Sequence, residues 1–157
     1  MKKESITKQE FSMFAEKIAQ TFELEILNTQ STVSCDDIQG IEGVVFKRFN
    51  KADKVEAISL DDMAIGSVNF YSKTNKHAVF YLIKHFRNCS SHNNRIFHST
   101  IGGDKVIVFE DTHNGCATMR AIIKADRWNT TFEKIIQEYK IKIVRSINSN
   151  NNENNYS

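Results

Sequence analysis

The sequence predicts an α+β domain: a mainly antiparallel sheet of about five to seven strands, packed by N-terminal, central and C-terminal helices. Three observations predict it. Apolar residues recur at helical spacing over residues 8–22 and 130–139, and they alternate with period two in several segments between. A Gly102-Gly103 pair separates two short apolar runs, as a tight hairpin requires. Helices and antiparallel strands in such an order pack as two layers around one core.

The first helix opens on Thr7 with Glu10 three residues later, a capping box that satisfies two orphaned backbone donors. Phe11, Phe14, Ala15, Ile18, Ala19 and Phe22 follow as one apolar stripe, expected to face the protein's own core. From Leu24 onward the period becomes two. Residues 43–49 and 54–60 read as two antiparallel strands around a turn at residues 50–53, and residues 64–71 as a third, interrupted by Gly66. Val79, Leu82, Ile83 and Phe86 favour a helix over residues 75–87, with a buried strand at residues 78–83 as the alternative.

Folding at Gly102-Gly103 pairs Ile101 with Asp104 and sets Arg95 opposite Glu110, so opposite charges face each other in the ladder. Residues 116–124 fit a strand or a short helix. Thr130 with Glu133 signals a last helix, lined by Trp128, Phe132, Ile135, Ile136 and Tyr139. Ile141, Ile143 and Ile147 suggest a closing strand. Residues 1–145 thus read as a single domain, and 146–157, rich in Asn and Ser, as a disordered tail too polar to order itself.

At 157 residues the chain is long enough to bury a core without staples. Its three cysteines, Cys35, Cys89 and Cys116, leave an odd count. That argues against a full disulfide framework and for a reducing, cytoplasmic setting. No apolar run is long enough to cross a bilayer, and no apolar stretch follows the first lysines as a secretory signal demands. Proline is absent and Lys outnumbers Arg more than twofold, which suits an AT-rich gene of a phage, mobile element or low-GC microbe.

A net charge of +2 is small for a generic polyanion binder. A nucleic-acid surface would need local clustering, and residues 46–54 supply the one example: Phe46, Lys47, Arg48, Lys51 and Lys54, with aromatics for stacking and cations for phosphates. Strand alternation opposes it, because Phe46 and Lys47 point to opposite faces.

The hairpin register sets His92 opposite His113 and, extended, Cys89 opposite Cys116. Two thiolates and two imidazoles make a tetrahedral zinc set. The mirrored Cys-x-x-His, His-x-x-Cys order matches no common knuckle, and buried structural cysteines are the plainer alternative. A Cys89–Cys116 disulfide is a further alternative.

The sequence displays no nucleophile elbow, phosphate loop or cofactor fingerprint, so no cofactor other than zinc enters consideration. Adjacent carboxylates at Asp61-Asp62 and Glu110-Asp111 point apart on a strand, and solvated carboxylates are the default for both pairs. For an unrecognised enzyme, His98, Glu110, Asp111 and His113 form the one candidate cluster.

The order helix, strands, helix, strands, helix loosely resembles the small chaperones of type III secretion systems, residues 11–18 being similar to their opening amphipathic helix. The likeness covers one short segment. The slight basic charge and the expected terminal strand depart from the pattern of those acidic proteins, and no membership follows.

The resulting functional expectation is a small non-enzymatic regulatory protein that docks on another protein as inhibitor, adaptor or chaperone, using a strand edge or a helix face. A nucleic-acid module, with or without a structural zinc, is the alternative, and an unrecognised enzyme the second. A membrane partner is not expected.

Overall fold

The computed structural model describes residues 1–29, 32–91 and 95–155, with side chains as far as residue 143. Six strands form one sheet in the order β1-β4-β5-β6-β3-β2: β1 (Glu4–Ser5), β2 (Val45–Phe49), β3 (Ser67–Tyr71), β4 (Ile96–Ile101), β5 (Asp104–His113) and β6 (Cys116–Lys124). Every neighbouring pair is antiparallel except β2 and β3. Four helices accompany it: α1 (Lys8–Thr21), α2 (Ala52–Glu56), α3 (Ala78–Cys89) and α4 (Trp128–Asn155). The fold is α+β, as the sequence predicts.

Alternation along β5 divides the core in two. Ile107 and Phe109 join the large cluster beneath α1, α3 and α4, with Ile18, Leu82, Phe86, Phe132 and Ile135. Val106 and Val108 face the other way, packing with Met63, Phe97 and Ile122 and flanked by Ile58, Leu60 and Ile65. Each fully buried aliphatic or aromatic side chain there contributes about 1.5–3 kcal/mol, so both faces of the sheet are covered by structural necessity.

The capping box forms as predicted: Thr7 Oγ1 accepts from the Glu10 amide at 3.0 Å and Glu10 Oε1 accepts from the Thr7 amide at 3.1 Å. Phe14 and Ile18 turn inward. The β4–β5 hairpin adopts the expected register, Ile101 opposite Asp104 and Ile96 opposite Phe109.

Three expectations need correction. Residues 54–60 are not a strand. β2 pairs parallel with β3, and a parallel pair needs a crossover rather than a tight turn. The connection therefore contains α2, whose Val55 is wholly buried, and a 3₁₀ turn at Leu60–Asp62. Gly66 ends the crossover at φ +91°, where a Cβ would stand 2.3 Å from the Gly43 carbonyl oxygen, so only glycine fits that approach.

Residues 24–26 are not extended either. Past α1 the chain winds into a π-helical turn, Phe22–Ile26, closed by the Leu27 amide on the Phe22 carbonyl at 2.7 Å. Finally, Ile141 and Ile143 continue α4 instead of forming a strand. Ile143 packs against the large cluster as the next position of the stripe that begins at Phe132, Ile136 and Tyr139. The backbone of the Asn/Ser-rich segment remains in α4 as far as Asn155; Tyr156 and Ser157 lie outside the described residues.

Candidate functional site

The basic-aromatic segment divides between core and surface. Phe46 is buried in the large cluster, and its outward carbonyl accepts from the Gln39 side-chain amide at 2.9 Å. Arg48 is held by the Ser72 carbonyl at 2.7 Å. Lys47, Lys51 and Lys54 remain exposed, the last two around α2 rather than on a strand. The structure does not bring an exposed phenylalanine together with these cations at Phe46.

The hairpin residues separate similarly. Cys89 ends α3 inside the large cluster, where burial pushes its thiol well above the ordinary value and opposes the thiolate a metal ligand needs. His113 pairs with Cys116 across the β5–β6 turn at Asn114-Gly115, both in positive φ. The partner expected for His113, His92, lies outside the described residues. All three cysteines are free, and among the described residues no group of three or more His, Cys, Asp or Glu could hold a metal ion.

Nor do His98, Glu110, Asp111 and His113 form one cluster. His98 Nε2 meets Glu10 Oε2 at 2.6 Å, tying β4 to the start of α1. The Thr7 amide, and then His98, hold the Glu10 carboxyl below its ordinary value. Glu110 accepts from Arg120 Nε at 2.9 Å, while the other guanidinium nitrogens reach Glu56 and the Ile58 carbonyl on the α2 side of the sheet. Asp111 faces the opposite way, toward α3, as strand alternation demands.

Asp111, which the sequence grouped with His98, Glu110 and His113, is instead a buried polar centre whose partners His85 and Asn88 the sequence did not single out. Its Oδ2 meets His85 Nδ1 at 2.8 Å and the Asn88 side-chain amide at 3.1 Å. His85 Nε2 lies 2.8 Å from the Tyr71 carbonyl. Both ring nitrogens thus face acceptors, and the ring donates to both only when doubly protonated. The ring serves as a tie between α3, β3 and β5. Beside it opens a cavity of about 350 Å³, lined among others by Tyr71, Lys73, Tyr81, Lys84, Asp111 and His113. Alternation in the sequence puts Asp111 on the same face as Ile107 and Phe109; its burial depends on His85 and Asn88, which sequence did not place there.

A second feature is apolar and outward. Among the described residues five large hydrophobic side chains are exposed, and three of them, Met13, Leu24 and Leu27, lie on α1 and its π-helical extension. Leu24 is 81% exposed, Met13 60% and Leu27 48%. Each lies outside the inward set of Phe14, Ile18, Phe22 and Ile26, with Leu24 on the π-helical turn and Leu27 capping it. Three of the charges beside this ridge are paired within the chain, and Glu16 beside Met13 is exposed. Lys17 meets Glu133 at 2.6 Å and also bonds Asn129, Glu23 meets Arg87 at 3.6 Å, and Glu25 pairs with Lys140.

No protein-family model, curated protein or solved structure matches this chain.

Proposed function

We propose that this protein acts by docking on another protein through the Met13–Leu24–Leu27 ridge. The observation that carries the reading is Leu24, exposed on a helical element that already buries its own inward stripe. Burying a leucine is worth about 1.5–3 kcal/mol, and this chain leaves three large apolar side chains on one ridge without that gain. A partner would supply it.

The same element argues for the kind of partner. Because Lys17, Glu23 and Glu25 are paired within the chain and the exposed Glu16 is negative, the ridge offers no positive charge to attract a polyanion. It fits an apolar groove, or the apolar face of an amphipathic helix, on a second protein. The alternative docking element, the β2 edge, is less suited: the Phe46 carbonyl is already taken by Gln39. A regulatory role as inhibitor, adaptor or chaperone follows from occupancy of the partner's surface and needs no reaction.

The Leu24→Glu/Leu27→Glu variant tests this. A protein captured by the wild type, lost by the variant, and re-formed with the wild type as a one-to-one complex from purified components supports the reading. Capture that the variant leaves unchanged refutes it. A wild-type dimer that the variant abolishes in sedimentation assigns the ridge to a second copy of the chain instead.

A further inference from the structure

We propose that the cavity beside Asp111 binds a small phosphorylated sugar, free or within a nucleotide. Four observations converge on that chemistry. Asp111 is 6% exposed, and His85 and Asn88 both meet its side chain at Oδ2. Among the described residues the side-chain bonds to Asp111 all use Oδ2, so Oδ1 is the oxygen a ligand hydroxyl would meet at the cavity wall.

The carboxylate is also fixed in position. His85 is held at its far side by the Tyr71 carbonyl, and the Asn88 amide completes the clamp, so a ligand would meet an acceptor that needs no reordering. Charge supplies the next constraint. His85 and Asn88 both engage Asp111 at one oxygen, and Lys73 and Lys84 on the cavity wall supply positive charge to attract an anion. Finally, Tyr71 and Tyr81 line the same space, aromatic surfaces of the sort against which sugar rings and bases pack. A volume of about 350 Å³ lies within the range of small-molecule sites. Donor, anion and flat apolar surface together describe a hydroxylated ring bearing phosphate; a bare anion would leave Asp111 unanswered.

Nuclear magnetic resonance titration of the full chain tests this with four probes: ribose 5-phosphate, ribose, inorganic phosphate and adenosine monophosphate. Saturable binding of ribose 5-phosphate is expected, with shift changes centred on residues 71–73, 84–88 and 111–113. Affinity should fall about tenfold or more for Asp111→Asn, the loss of one hydrogen bond to a charged group. The Lys73→Ala/Lys84→Ala variant alters exposed positions only and should weaken phosphate-bearing probes by a similar factor while leaving the fold intact. Tighter binding of adenosine monophosphate identifies a nucleotide as the source, and equal or weaker binding a free sugar phosphate. Inorganic phosphate binding as tightly as ribose 5-phosphate overturns the proposal, as does the absence of saturation or binding that the lysine variant leaves unchanged.

Discussion

Leu24 on the π-helical turn is 81% exposed, whereas Asp111 at the end of β5 is 6% exposed. An apolar side chain in water and a carboxylate in the interior invert the usual distribution, and they do so for different reasons. Asp111 is retained by specific bonds to His85 and Asn88, which hold α3 against the sheet. Leu24 stands largely outside the packing of the described residues. Removing the first should therefore damage the fold, and removing the second should damage an association while sparing the fold.

The largest expected effect belongs to the buried side of that contrast. Asp111→Ala should lower the unfolding free energy by about 3 kcal/mol in urea denaturation, because the His85 ring and the Asn88 amide lose their shared acceptor in a buried setting. A loss as small as that of a surface substitution would mean that α3 does not depend on the tie.

An intermediate effect is expected one residue beyond Asn88. Burial raises the thiols of Cys89 and Cys35 above their ordinary value of 9.0. In the unfolded chain both ionise near that value, so the unfolded state binds fewer protons and stability falls as pH rises through it. Cys89→Ala should make the decline shallower by at most about 1.4 kcal/mol per pH unit. A slope unchanged by the substitution would show that Cys89 ionises equally in both states.

The smallest expected effect lies on the ridge. Leu24→Ser with Leu27→Ser should alter stability by no more than about 0.5 kcal/mol per site, as exposed positions do. A large loss in thermal denaturation would place these leucines in the protein's own packing and remove the contrast.

Much of the framework was legible because it is local. The Thr7–Glu10 box, the inward stripe of α1 and the register around Gly102-Gly103 each depend on residues a few positions apart. What failed was decided at long range. Val55, Ala57 and Ser59 alternate as a strand would, yet the parallel pairing of β2 with β3 required a crossover, and Val55 found its burial on a short helix. Glu23, Leu24, Glu25 and Ile26 alternate too, yet the inward demands of Phe22 and Ile26 are met by a π-helical turn that leaves Leu24 outside.

The two candidate sites show the same division. That Glu110 and Asp111 face opposite ways was readable from alternation, and their partners are indeed on opposite faces. That Asp111 would be buried was not, because His85 and Asn88 reach it from a helix more than twenty positions earlier in the chain. Phe46 and Arg48 gave the reverse lesson: side chains that suggested a nucleic-acid surface are engaged by the core and by Ser72.

Photocrosslinking in the cell that makes this chain tests the docking claim most directly. A photoreactive residue at position 24 is compared with one at position 105, which is also exposed but lies on β5 away from the ridge. The account predicts a discrete adduct with one protein from position 24 and none from position 105. Identical adduct patterns from both positions, or no adduct from either, would contradict it.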